Sequence, residues 1–400
     1  MSAHRKIHRP LAEACVRMLE EIIDGQSMSD RVVGRALGAH PQWGARDRAF
    51  VADTVYEVVR WQRRLAFLAG AADWWSLAGM HWALRDFPRP AWAAWPDLSH
   101  ELRAERLNAL SAAPRTVRES VSEELDALGE AELGAQWDPE LAAMNRQAGI
   151  FVRVNPLRAS LTAVMADLAE QGMVLSPVEG APLALRTTGA RGIPARMRLS
   201  GKFEIQDAGS QEVAPFLQVE PGQCVVDACA GAGGKTLHLG ALMAGRGELH
   251  SLDVDPKKLE VLAGRARRAG IRVQAAVVAP SILANLNSRA DRVLVDAPCS
   301  GTGTLRRQPD LKYRITTGPL AETISLQRQL MAQFARLVRP GGKLVYATCS
   351  VFPSENEKQA AWFTAQHDDF VFEEERRISP AATGWDGFYM ARWRRTDRFD

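Results

Sequence analysis

Asp227-Ala228-Cys229-Ala230-Gly231-Ala232-Gly233-Gly234-Lys235-Thr236, preceded by the short apolar run Cys224-Val225-Val226, reads as a strand that breaks into a glycine-rich turn and then a helix. Glycines let backbone approach a ligand closely, and the start of the following helix offers free N–H groups. Gly234-Lys235-Thr236 resembles the end of a phosphate-cradling GxxxxGK[ST] loop, yet the first glycine of that pattern falls on Cys229, so the spacing argues against an NTPase. A nucleoside cofactor held in the Rossmann manner stays open.

Outward from this turn the same texture repeats. Short apolar runs alternate with helical segments: Cys224 to Ala228, then a helix from Lys235; Glu248 to Asp253, then a helix to Gly270; Arg292 to Asp296; and Lys343 to Thr348. The alternation predicts an α/β domain with a mostly parallel, doubly wound sheet, in which ligands sit at the carboxyl ends of the strands. Asp253 closes the second run about 20 residues after the glycine turn, where a carboxylate can accept both ribose hydroxyls. It is the ribose candidate, whereas Asp255 caps the helix that opens at Pro256.

The run from Arg292 ends in Asp296-Ala297-Pro298-Cys299-Ser300-Gly301-Thr302-Gly303, and the run from Lys343 in Tyr346-Ala347-Thr348-Cys349-Ser350. Both ends face the substrate side of such a sheet, so two thiols far apart in sequence can converge on one cleft. A lone Cys is usually a small buried hydrophobe. Two at functional strand ends, one in an Asp-Pro frame, point to chemistry, and on the residues alone Cys299 and Cys349 are equal candidates for nucleophile.

Upstream, apolar residues recur at helical spacing from His8 to Gly70: Leu11, Ala14, Cys15, Met18, Leu19 and Ile22, then Phe50, Val51, Val55, Val58 and Val59. Eight of the eleven tryptophans fall at or before Trp137, and in an amphipathic helical domain they are expected mainly as core filler. Trp137-Asp138-Pro139 reads as a break in the helical pattern, and Phe151 to Pro156 as a strand ending in a turn. A helix over 160–171 and extended runs at 173–176 and 183–187 suggest a small α+β subdomain. The expected domains are therefore 1–137, all helical; 138–205, a small α+β subdomain; and 206–400, the parallel-sheet domain.

With 400 residues, 46% of them hydrophobic and 24% charged, the chain has enough apolar surface for several cores and is not broadly disordered. The formal charge is +3, but 42 of the 50 basic residues are Arg. Arg suits phosphate and base stacking, although a GC-rich genome writes the same bias. Five cysteines without a CxxC pair argue against a disulfide framework or a zinc ribbon, so no metal and a reducing, cytoplasmic setting are expected. Charges break every apolar run near the N-terminus, which excludes a signal peptide there. Asp73 interrupts the apolar stretch Leu65 to Leu84, which reads as a buried helix or helix pair rather than a membrane span.

The blocks DACAGAGGKT, LDVDP, DAPCSGTGTLRRQPDLKYR and YATCSVFPSENE together resemble the cofactor, substrate and nucleophile motifs of the Sun/RsmB-type RNA cytosine-5 methyltransferases. Gln206-Asp207 with Ser210-Gln211, and Asp386 to Ala391, are similar to the family's entry segment and closing strand. Arg46-Asp47-Arg48-Ala49-Phe50 with Val55-Tyr56 and Val59-Arg60 resembles its NusB-like helical RNA-binding domain. The resemblance spans nearly the whole chain and is thinnest at about 70–135.

This resemblance implies a Rossmann-like class I methyltransferase domain that uses S-adenosylmethionine. The cofactor residues it implies are Cys229, Ala230, Gly231, Ala232, Gly233, Gly234, Lys235, Asp253 and Asp296. It implies Cys349 as the nucleophile and Cys299 as the thiol that assists release. The implied partner is RNA, ribosomal before transfer RNA; no membrane partner is expected, and the sequence does not fix the oligomeric state, for which a monomer is the expectation. A fold-retaining assembly protein without turnover is the alternative of another class. Arg306, Arg307, Lys312 and Arg314, directly after the Cys299 loop, are expected to meet backbone phosphates. Two positions depart from the family pattern: Ala279 stands where an acidic residue usually holds the adenosine, and the turn lacks the Ala-Pro pair before its double glycine.

Overall fold

The computed structural model describes residues 6–97, 99–188 and 193–397. The chain divides into two compact units, Met1–Arg146 with Leu305–Thr317, and Gln147–Thr304 with Gly318–Asp400.

The first unit is helical. Helices Arg9–Ile23, Ser29–Ala39, Ala45–Arg60, Gln62–Ala69 and Trp74–Ala83 build its core, and the periodic residues Leu11, Cys15, Leu19, Ile22, Val51, Val55, Val58 and Val59 are all buried in it. The stretch Leu65 to Leu84 is a helix pair, and Asp73 caps the second helix by accepting the Ser76 N–H at 3.0 Å. The tryptophans serve as core: Trp82 donates to Thr54 Oγ1 at 3.0 Å, and Trp75 stacks on Trp95 at 5.9 Å. Pro139, expected to break the helical pattern, lies in the first turn of helix Trp137–Met144, where a missing N–H costs nothing.

Leu305–Thr317 belongs to this unit because its polar groups are bound there. Lys312 is fully buried and its Nζ donates to Arg60 O at 2.8 Å, Asn145 Oδ1 at 2.7 Å and Glu119 O at 3.1 Å. Arg306, also buried, donates to Ala143 O, and Arg314 donates to the carbonyls of Ile22, Gln26 and Ser27. This corrects the expectation of phosphate contacts for these three cations: the orphan carbonyls at helix ends have taken their N–H groups.

The second unit holds two sheets. Strands β1 (Ile150–Val154), β2 (Val174–Val178), β3 (Ala181–Thr188) and β4 (Phe203–Ile205) form an antiparallel sheet in the order β2-β3-β1-β4. Helix Leu161–Ala169 closes its core through Val164 and Leu168, against Val152, Val154, Leu185 and Phe203. The larger sheet comprises β5 (Cys224–Asp227), β6 (Glu248–Asp253), β7 (Gln274–Val277), β8 (Ala290–Asp296), β9 (Val338–Thr348), β10 (Phe370–Ile378) and β11 (Phe388–Arg395), ordered β10-β11-β9-β8-β5-β6-β7. Strands β5 to β9 run parallel, and β11 and β10 add antiparallel neighbours beyond β9. Strand order reverses between β5 and β8, and a ligand crevice forms at such a switch point.

Candidate active site

The glycine turn starts where β5 stops. Gly231 and Gly233 have φ of +53° and +90°, and a Cβ on Gly233 would lie 2.7 Å from Leu262 Cγ, so that position accepts only glycine. Gly233 caps helix Gly234–Leu242, whose free N–H groups open towards the strand ends. Asp253, at the end of β6, braces the turn: its Oδ2 accepts the Gly231 N–H at 2.8 Å and its Oδ1 the Asp255 N–H at 2.9 Å. Asp255 caps helix Pro256–Ala269 through Lys257 N, as its position before Pro256 predicts. Cys229 packs half-buried against the sheet core, and burial, with the charges of Asp227, Asp296 and Asp253, holds its thiol protonated.

Below the turn, Asp227 is fully buried and accepts the Thr236 hydroxyl at 2.6 Å. Burial raises its carboxyl to about 7, against the opposing pull of that hydrogen bond. Ala279 follows β7 and caps helix Pro280–Leu286 without a side-chain hydrogen bond, so no carboxylate stands there. Val254, immediately after Asp253, is 79% exposed and offers an apolar rim.

The two thiols meet. Register pairs Asp296 of β8 with Ala347 of β9, so the loops that follow leave the sheet side by side. Cys299 Sγ and Cys349 Sγ are 3.3 Å apart, both partly buried. The Cys299 thiol is pushed well up by its hydrogen bond to Cys349 and by burial, with the charges of Cys349 and Glu355 adding to the effect. Cys299 therefore keeps its proton, within hydrogen-bonding distance of Cys349.

Lys235 comes from the glycine turn to the same place. Its Nζ is 2.6 Å from Asp296 Oδ2 and 5.2 Å from the centre of the Phe388 ring. Burial works against the Lys235 charge, but Asp296, by charge and hydrogen bond, more than offsets it, and the pKa rises with a further contribution from Cys349. The cation thus stands near the thiol as well as the carboxylate. Sequence reasoning put Lys235 among the cofactor groups and did not foresee this ion pair.

Also unforeseen is Glu355, within the quoted run Ser354-Glu355-Asn356-Glu357 of the nucleophile block. It is fully buried between the thiol loops. Its Oε1 accepts Ser300 N at 2.8 Å and Gln327 Nε2 at 3.0 Å, and its Oε2 accepts the hydroxyls of Ser300 and Ser350. The signal was the first charged residue after an apolar and hydroxyl-rich run, where burial demands donors. Two further links close the site. Gly303 donates to Cys349 O at 2.9 Å, and Gly387 donates to Gly303 O at 2.8 Å. Asp207 Oδ1 accepts both Gly209 N and Asp386 N, tying the entry segment to the closing strand.

Comparison with known proteins agrees with this fold. A family model described as 16S rRNA methyltransferase RsmB/F matches residues 214–394, and a ferredoxin-like domain of RsmF/B-like methyltransferases matches residues 128–193. A probable ribosomal RNA small subunit methyltransferase B of Synechocystis is 31% identical over 91% of this chain and 91% of its own length. Ribosomal RNA small subunit methyltransferase B of Sodalis glossinidius is 33% identical over 64% of this chain, an alignment covering 62% of the relative. The crystal structure of a methyltransferase homolog protein from Pyrococcus horikoshii superposes with a TM-score of 0.62 at 27% identity, covering 70% of this chain and 97% of that one. With motif, fold and full-length likeness in agreement, the chain belongs to the RsmB/F family of 16S rRNA methyltransferases.

Proposed function

We propose that this protein methylates carbon 5 of a cytosine in small-subunit ribosomal RNA, with Cys349 as nucleophile and Cys299 as the releasing group. The observation that supports this most is the pair of thiols 3.3 Å apart at adjacent strand ends, beside the Lys235–Asp296 ion pair.

The donor S-adenosylmethionine fits the residues around the glycine turn. A Cβ built on Gly231 meets nothing within 4 Å, so space is open above the turn. Asp253 has lone pairs left for ribose, the N-terminal end of helix Gly234–Leu242 suits a carboxylate, and Val254 offers an apolar face to a base. When bound, this cofactor supplies an electrophilic methyl group.

Cytosine carbon 5 is too weak a nucleophile to take that methyl unaided. Addition of the Cys349 thiolate to carbon 6 turns the ring into an enamine and makes carbon 5 nucleophilic. Asp296, held at 2.6 Å by Lys235, is placed to hydrogen-bond the edge of the base near ring nitrogen 3. In the free enzyme Cys299 is a protonated thiol beside Cys349. Once Cys349 is a thioether, the strongest cause of the raised Cys299 pKa is gone, and Cys299 gives its own proton to water and acts as a base in its thiolate form. It takes the carbon 5 proton, the electron pair forms the 5,6 double bond, and the bond between carbon 6 and Cys349 breaks with its electrons returning to sulfur.

A base must leave its stack to reach such a pair, so an unpaired or flipped cytosine is the substrate. The helical unit and the small antiparallel sheet of β1 to β4 serve to select it. Bisulfite sequencing of ribosomal and transfer RNA from cells with and without the protein tests the reading. Loss of one 5-methylcytosine in small-subunit ribosomal RNA is expected; loss confined to transfer RNA, or no change, contradicts it.

A further inference from the structure

The structure assigns a positioning role to Glu355: we propose that its carboxylate sets the spacing of the two thiols by holding the Cys299 loop on the Cys349 loop, and that release of the methylated base depends on that spacing. The inference rests on the proposed roles of Cys349 and Cys299.

Glu355 lies in neither thiol loop's first turn. It is contributed by the short helical turn Pro353–Glu355 and is 0% exposed. A carboxylate there would be costly unless its lone pairs were met. Four donors meet them, and their origin is informative. Ser300 N and Ser300 Oγ belong to the residue after Cys299, and Ser350 Oγ to the residue after Cys349. The fourth, Gln327 Nε2, also donates to Pro298 O, just before Cys299, at 3.0 Å. The residues on both sides of Cys299 and the residue after Cys349 therefore converge on one carboxylate.

Ser300 Oγ and Ser350 Oγ are 3.3 Å apart, like the sulfurs one residue earlier. Thr302 Oγ1 lies 3.0 Å from Ser350 Oγ and accepts Val351 N, so the hydroxyls form a bridge beneath the thiols. The backbone of Glu355 is fixed as well, because Tyr346 donates to its carbonyl at 2.7 Å from within β9. Without the carboxylate, Ser300 N and two hydroxyls lose a charged acceptor, and the Cys299 loop is released. Cofactor residues on the glycine turn share none of these bonds, so the effect is expected on release and not on cofactor binding.

The test compares wild type, Glu355→Gln, Ser300→Ala and Cys299→Ser with small-subunit ribosomal RNA and S-adenosylmethionine, reading turnover, covalent RNA–protein adduct on denaturing gels, and cofactor affinity by titration calorimetry. For Glu355→Gln, turnover should fall about 100-fold, the loss typical of a misplacement of about 1 Å, while adduct accumulates and cofactor affinity stays within about twofold. Ser300→Ala, which removes one donor, should show the same pattern more weakly. Turnover within about twofold of wild type, or a loss without adduct that comes with equal loss of cofactor affinity, overturns the inference. If Glu355→Gln does not fold, Ser300→Ala and Ser350→Ala decide: adduct accumulation supports the role, and wild-type release in both removes it. Cys299→Ser separates the two failures. If it traps adduct and the Glu355 and Ser300 variants do not, only the positioning role falls; if it traps none, the reading of the thiols falls and takes the inference with it.

Discussion

At the scale of single residues, the site is a set of buried polar groups whose protonation is decided by their neighbours. Asp227 shows how this couples to stability. Burial raises its carboxyl to about 7, so folding favours the neutral acid. The stability this confers is fully present below the unfolded value of about 4 and is lost as pH climbs through 7. Asp227→Asn keeps an oxygen to accept the Thr236 hydroxyl but cannot ionise. Its melting temperature should fall less than that of wild type between pH 6 and 8.5; parallel curves would contradict the assignment. Ala279 makes a second prediction at this scale. As the residue capping helix Pro280–Leu286 with φ −147° and ψ 152°, it has the backbone of a capping aspartate without the side chain. Ala279→Asp should stabilise the helix by about 1 kcal/mol. A carboxylate reaching the adenine amino group should also tighten S-adenosylmethionine binding about fivefold. A stability gain with unchanged affinity, read by calorimetry, would show that the adenine lies elsewhere.

At the scale of elements, the segment Leu305–Thr317 shows what periodicity and motif could and could not reveal. Its cations follow the Cys299 loop directly in sequence, and charge beside a polyanion site reads as phosphate binding. The structure spends Arg306, Lys312 and Arg314 on carbonyls at the ends of helices far away in sequence, contacts that leave no local signal. Lys312→Met keeps the stem and removes three hydrogen bonds. It should destabilise the protein by about 2–4 kcal/mol, since buried acceptors lose their partner. The salt dependence of RNA binding should not change. Full stability with a shallower salt slope would restore the phosphate reading. The parallel strands were legible because buried strands write unbroken apolar runs, as in Val225-Val226 and Val293-Leu294-Val295. Edge strand β10 was not, because Phe370–Ile378 carries five charges over nine residues on an exposed ribbon. Asp255 and Pro256 announced their helix start correctly. Pro139 was misread because a proline that opens a helix and one that ends a helix look alike without the neighbours.

At the scale of the whole molecule, the fold class and the meeting of the two thiols were readable for one reason: ligand groups stand immediately after strands, so order along the chain maps onto position in space. Glu355 and the Lys235–Asp296 pair were not readable, because they depend on which loops face each other across the sheet. None of the helices among the described residues is long and apolar enough to cross a membrane. The central claim concerns two sulfurs 3.3 Å apart with different tasks. It is tested most directly by incubating Cys299→Ser and Cys349→Ser with small-subunit ribosomal RNA and S-adenosylmethionine and separating the products under denaturing conditions. The account predicts a covalent RNA–protein adduct with Cys299→Ser and none with Cys349→Ser; adduct in the Cys349 variant alone would contradict it.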